Sequence, residues 1–201
     1  MPAVRRLAAI LAADVAGYSR LMGADEEGTH ERLKAHLSEL VEPKIDQHHG
    51  HTVKNTGDGM LAEFPSVVDA TRCAIELQRG MVEREREVPD ERRIRFRIGI
   101  NLGDVIVEPE DIFGDGVNIA ARLQALAQPG TVCISQTVYD QVKNKLDLDY
   151  RPSVAVLPFQ NLSGAIVGCG NVRRSPGGTS RAAVALSGAS PKVDVVPRVY
   201  R

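Results

Sequence analysis

No apolar run in this sequence approaches the ~18 uninterrupted residues that a membrane-crossing helix needs, so no such span is expected. Arg5 and Arg6 precede an apolar run, but that run stops at Asp14 and no small-residue cleavage site follows. A secretory signal is therefore not expected, and the cytoplasm is the expected compartment. The chain also lacks a charge excess: its net charge is −1 and its isoelectric point is near 6.5. That balance excludes a general basic field for nucleic acid. Cysteine is scarce, with Cys73, Cys133 and Cys169 far apart and none in a CxxC pair. Neither a zinc site nor a disulfide frame is expected, and Cys73 and Cys133, set in apolar stretches, read as small core residues. Internal repeats are absent.

What remains is the composition of a globular protein, 43% hydrophobic and 25% charged over 201 residues, enough for one domain and a tail. The character changes at Tyr150. Residues 1–150 hold 18 Lys/Arg against 25 Asp/Glu, whereas 151–201 hold seven basic residues and a single acid, Asp194. Residues 163–191 are dominated by Gly, Ser, Ala and Pro, a linker composition. The expectation is a domain over 1–150 and a linker-like, disordered tail over 151–201, with one strand at 154–159.

Inside the domain, residues 7–13 form an apolar run that reads as a buried strand. Leu33, Leu37, Leu40 and Val41 give helical spacing over 25–48, with Asp25, Glu26 and Glu27 in the first turn. Thr56-Gly57-Asp58-Gly59 between 51–55 and 60–64 signals a hairpin. A second long helix is expected over 67–86, strands over 95–101 and 104–108 as a hairpin, a helix over 117–127 and a strand over 131–134. This order predicts an α+β fold with a ferredoxin-like βαββαβ core.

Two carboxylates stand out. Asp14 ends the first strand, and Asp58 sits at the hairpin tip between two glycines. Converging there, they would repel unless a cation lay between them, and Mg²⁺ usually takes one or two carboxylates plus substrate phosphates. The competing reading is that Asp58 only fills a type I′ turn, where Asp-Gly is common. Further on, Asp111-Ile112-Phe113-Gly114-Asp115-Gly116-Val117-Asn118-Ile119-Ala120-Ala121-Arg122 is a short glycine-bearing loop that opens a helix. Asn118 and Arg122, four apart, share one helical face, which fits either a solvated surface or a ligand site.

Together these segments, over about residues 5–145, resemble class III adenylate and guanylate cyclases. That family has an Asp after the first strand, a Lys-x-x-Gly-Asp hairpin and an Asp-x-aromatic-Gly-x-x-Val-Asn-x-Ala-x-Arg signature. Asp14, Lys54, Asp58, Asp111, Asn118 and Arg122 occupy the matching places. The resemblance implies an adenylate cyclase, converting ATP to cyclic AMP and pyrophosphate for intracellular signalling. Asp14 and Asp58 would hold two metal ions, Mg²⁺ or Mn²⁺. Arg122 would meet the charge developing on the α-phosphate, and Asn118 would orient the ribose. Lys54 and Asp111 would read adenine, where guanylate cyclases carry Glu and a small residue. Each site would be shared across a homodimer, the metal pair from one subunit and the other residues from its partner.

The chain departs from the family at two places. Asp104 stands where many relatives carry a phosphate-binding arginine, and Arg97 and Arg95 are the nearby cations that could replace it. The family's C-terminal hairpin, with its phosphate-binding lysine, is missing. Instead Arg151-Pro152-Ser153-Val154-Ala155-Val156-Leu157-Pro158-Phe159 resembles the start of a module that follows cyclase domains in longer proteins. The alternative is thus an ATP-binding regulatory or dimerisation module with little or no turnover. His48-His49-Gly50-His51 reads as a helix-to-strand turn rather than a metal site, and residues 83–87 as a solvated helix end.

Overall fold

The computed structural model describes residues 4–108, 111–148, 150–152 and 193–196. Its spine is strand β1 (Val4–Val15), whose run from Ala8 to Ala13 is buried on both faces. The alternation of a strand sends Ala8, Ile10 and Ala12 to one face and Ala9, Leu11, Ala13 and Val15 to the other. Both faces are covered, so the strand reads as one continuous apolar run.

Helices α1 (Tyr18–Ala24), α2 (Glu26–His36) and α3 (Glu42–Gln47) follow, the last two joined by a π-helical turn at Leu37–Val41. Asp25 is the cap of α2 and not part of its first turn: its carboxylate accepts from the Gly28 N–H at 3.0 Å. The single long helix expected over 25–48 is interrupted where Pro43 removes a backbone donor, and the π turn absorbs the mismatch. Strands β2 (His51–Asn55) and β3 (Gly59–Phe64) make the expected hairpin, and α4 (Val67–Arg84), capped by Ser66, packs on the odd-numbered face of β1.

One expectation is corrected at the next strand. Residues 95–101 and 104–108 do not form a hairpin; β4 (Phe96–Glu108) is one strand, antiparallel to β1 without a break from Val15↔Phe96 to Val4↔Val107. Gly103 looks like a turn residue in sequence, but it serves a close helix approach described below. The turn comes later, and β5 (Asp111–Phe113) pairs back on β4. Helix α5 (Asp115–Leu126), strand β6 (Val132–Ser135), parallel to β4, and helix α6 (Gln136–Val142) complete the order. Helices α1 and α6 and strand β5 are not among the elements expected from the sequence.

The sheet runs β2-β3-β1-β4-β6-β8-β7, where β7 is Tyr150–Pro152 and β8 is Val193–Val196. The strand expected at 154–159 lies outside the described residues. The tail nevertheless contributes to the sheet: β8 is parallel to β6, and Val193 and Val195 are buried, while Asp194 between them is not. Within the tail expected to be linker-like, two alternating valines suffice to seat this four-residue strand beside β6.

Candidate active site

Asp14 continues the even-numbered face of β1 past Ala12, beyond the apolar run and at the strand's end. Arg97 stands directly opposite it on β4. The guanidinium donates through Nε to Oδ1 of Asp14 at 2.9 Å and through Nη2 to Oδ2 at 2.5 Å, a bidentate pair that is partly buried. The hairpin tip docks beside it, for the Val15 N–H donates to the Asp58 carbonyl at 2.9 Å. Its hydrogen bonds to Asp14, and the negative charges of Asp14 and then Asp58, hold the Arg97 guanidinium above its ordinary range, although desolvation opposes them. The Arg97 guanidinium is thus paired with Asp14 and also feels the charge of Asp58.

Lys54 and Asp111 also meet. Lys54 Nζ lies 2.8 Å from Asp111 Oδ2, linking β2 to β5, and the Ile112 N–H donates to Oδ1 of the same carboxylate. The Lys54 hydrogen bond holds the Asp111 carboxyl below the usual carboxylate range. Both side chains keep solvent access, about half for Lys54.

Helix α5 carries Asn118 and Arg122, and glycine lets it lie directly on β4. A Cβ on Gly99 would fall 2.2 Å from the Gln124 nitrogen and 2.3 Å from the Ala120 carbonyl oxygen. A Cβ on Gly103 would fall 2.8 Å from the Gly116 Cα. The buried stripe is Gly116, Ala120 and Leu123, so Asn118 and Arg122 are turned outward and exposed. Among the described residues neither side chain has a hydrogen bond or ion pair, nor does either join the Asp14–Arg97 or Lys54–Asp111 pair. The six sequence-predicted residues thus resolve into two paired sets and one open helix face.

Of the cations considered as substitutes for the missing arginine, Arg97 stands at the acid pair, whereas Arg95 is engaged by Asp90. Asp104 is exposed on β4 opposite Leu7. Among the described residues no group of three or more His, Cys, Asp and Glu is assembled for a metal ion, and His48 instead lies 3.3 Å from Glu76, which Lys44 also holds. Cys73 and Cys133 are buried, free thiols pushed up to about 12 by burial, consistent with core roles.

The description "Adenylate and Guanylate cyclase catalytic domain" matches residues 5–161. "Putative adenylate cyclase 3" of Rhizobium meliloti (strain 1021) is 43% identical over 202 residues, covering 80% of this chain and 34% of that protein. The chain thus spans about a third of the length of that curated relative. The crystal structure of an adenylate/guanylate cyclase/hydrolase from Silicibacter pomeroyi superposes with a TM-score of 0.68 at 51% identity, over 72% of this chain and 84% of the other. The guanylyl cyclase Cya2 superposes with a TM-score of 0.61 at 26% identity, over 70% of this chain and 80% of the other. With that description matched along most of its length and the fold shared with solved cyclases, the chain belongs to the adenylate and guanylate cyclase catalytic domain family.

Proposed function

We propose that this chain is an adenylate cyclase that forms cyclic AMP and pyrophosphate from ATP at a site shared by two copies. The observation that carries the choice of nucleotide is the Lys54–Asp111 pair, an ammonium beside a carboxylate at 2.8 Å. Adenine offers an acceptor at N1 and a donor at N6, which match these two groups. Guanine offers the reverse and would leave both charges facing like-handed partners. Sites built on such hydrogen bonds discriminate by about 10⁴, because the wrong base leaves polar groups unpaired.

Asp14 and Asp58 suit a divalent cation by the chemistry of their donor set: Asp14 pairs with a guanidinium on which the charge of Asp58 also bears, so positive charge is already favoured there. Two bound ions would lower the pKa of the ribose 3′-hydroxyl and neutralise the triphosphate. The chain's own groups do the rest. The 3′-oxygen forms a bond to the α-phosphorus, the bond from that phosphorus to the bridging oxygen breaks, and pyrophosphate leaves while the hydroxyl proton passes to water. Asn118 holds the ribose so that the 3′-oxygen lies in line. Arg122 meets the charge that grows on the α-phosphate, and losing one such donor typically costs about 10²–10³ in rate. Arg97, held beside Asp14, is the nearby cation assigned in this reading to the phosphates, in place of the arginine that Asp104 replaces.

The exposure of Asn118 and Arg122, with no partner among the described residues, supports their acting on a nucleotide held by a second copy. A dimerisation module that binds no nucleotide would leave the Lys54–Asp111 pair and this open face with no role. The test is product formation by purified protein from ATP and from GTP, each with Mn²⁺ and with Mg²⁺. Cyclic AMP at a kcat/KM at least 100-fold above that for cyclic GMP is expected. Equal use of the two nucleotides, or no cyclic product from either, overturns the proposal.

A further inference from the structure

Granted the cyclase reading above, on which this rests, we infer that Asn101 is a positioning residue that sets Asn118 and Arg122 through the backbone of α5. Asn101 is only 4% exposed, and its Nδ2 donates to the Gly116 carbonyl at 3.2 Å. It lies on the same face of β4 as Gly99 and Gly103, the two glycines against which α5 rests. The start of α5 also follows directly on β5, whose Phe113 pairs with Ile106 of β4, and the Ile10 side chain lies where a Cβ on Gly116 would point. Its cap, Gly114, has a φ of 133° and no side chain to hold the first turn; the Gly114 carbonyl accepts from Val117 N at 3.1 Å and Asn118 N at 3.3 Å.

Two contacts with β4 bear directly on where the first turn sits. Gly103 against Gly116 sets the closeness of approach, but a contact between two glycines has no side chain to resist sliding or rotation. The Asn101 amide supplies the direction, tying one carbonyl of the first turn to one point on the strand. Gly116 precedes Asn118 by two residues and Arg122 by six, within two turns of the same rigid helix. A helix turns about 100° and rises about 1.5 Å per residue, so a small relaxation of the first turn swings both side chains. Misplacement by about 1 Å can cost about 10² in rate. Asn101 touches neither reacting group; it acts through helix placement.

The test separates placement from plain stability. Asn101→Leu keeps the branching at Cγ and removes the donor. Asn101→His restores one, since ring Nδ1 is as many bonds from Cα as the amide nitrogen. For Asn101→Leu, kcat for cyclic AMP should fall at least tenfold with KM within threefold of wild type, and Asn101→His should recover most of the loss. Mixing then assigns the defect to one half of the site. Asn101→Leu subunits mixed with Asp58→Ala subunits should regain activity, because each mixed pair holds one site with sound acids and a sound α5. Mixed with Asn118→Ala subunits, they should regain none, because both damage the α5 half.

Recovery with Asn118→Ala, no recovery with Asp58→Ala after proven exchange, or an unchanged kcat overturns the inference. Should Asn101→Leu fail to fold, Asn101→Asp, of the same shape and without a donor when ionised, carries the same expectations. The control mixture of Asp58→Ala with Asn118→Ala subunits contains native Asn101 throughout. Its failure would count against the shared-site cyclase reading itself, whereas its success alongside a failed Asn101→Leu pattern would count against Asn101 alone.

Discussion

Arg97 faces Asp14 across the antiparallel ladder of β1 and β4 and occupies both of its carboxylate oxygens, with the charge of Asp58 also bearing on it. A divalent ion reaching Asp14 must compete with that guanidinium. In nucleotide-free protein, Arg97→Gln should therefore bind Mn²⁺ more tightly than wild type, by about two- to fivefold, the worth of a partly exposed ion pair of ~0.5–1 kcal/mol. Titration followed by electron paramagnetic resonance reads this directly. Asp14→Asn should abolish the binding. Equal affinity in wild type and Arg97→Gln would show that the pair does not guard the acids.

Base choice should follow the Lys54–Asp111 pair. Lys54→Glu combined with Asp111→Cys removes the ammonium and the carboxylate and supplies an acceptor in place of the former. The ratio of kcat/KM for ATP over GTP should fall by at least about 10², toward or past unity. A ratio that stays at the wild-type value would place base recognition elsewhere.

The close seating of α5 on β4 should be costly to disturb. Gly99→Ala would place a Cβ 2.2 Å from the Gln124 nitrogen, so the helix must lift. Overpacking of this kind costs about 1–3 kcal/mol, and each kcal/mol shifts the melting point of a domain this size by roughly 2–4 °C. Gly23→Ala, with nothing within 4 Å, is the control and should not lower the melting point. Equal melting points for the two variants would contradict the described contact.

The ends of the first strand and first hairpin were legible because a carboxylate stops an apolar run at Asp14 and Gly-Asp-Gly marks a turn at Asp58. Lys54 and Asp111 were legible only through the family pattern. Their contact was not, because it depends on β5, a three-residue strand too short to show alternation. Gly103-Asp104 reads as a turn in sequence because nothing local reveals that Gly116 will press on Gly103. Asn101 was missed for the same reason: its partner is a carbonyl 15 positions away, in a different element. Strand β8 was hidden by the Gly, Ser and Pro around it, although Val193 and Val195 already alternate.

Away from the site, Glu85 should make stability sensitive to acid. It is buried, and desolvation raises its pKa, but hydrogen bonds from His36 Nε2 at 2.6 Å and the Ile94 N–H at 2.9 Å, with Arg32 nearby, outweigh that and hold it below the ordinary carboxylate value. A carboxylate depressed in the folded state contributes stability that is complete above its unfolded value and is lost as pH falls through the lower folded value. The melting point of wild type should therefore drop between about pH 5 and pH 3 more steeply than that of Glu85→Gln. Parallel curves for the two proteins would exclude Glu85 as a source of the acid sensitivity.

The central claim, that two copies jointly build a cyclase site, is tested most directly by mixing inactive subunits. Asp58→Ala lacks an acid of one half, and Asn118→Ala lacks a ribose contact of the other. Random pairing of equal amounts makes half of the dimers mixed, each with one intact site of two, so cyclic AMP synthesis should recover to about a quarter of the wild-type rate. No recovery in a mixture whose subunits have demonstrably exchanged would contradict the shared site.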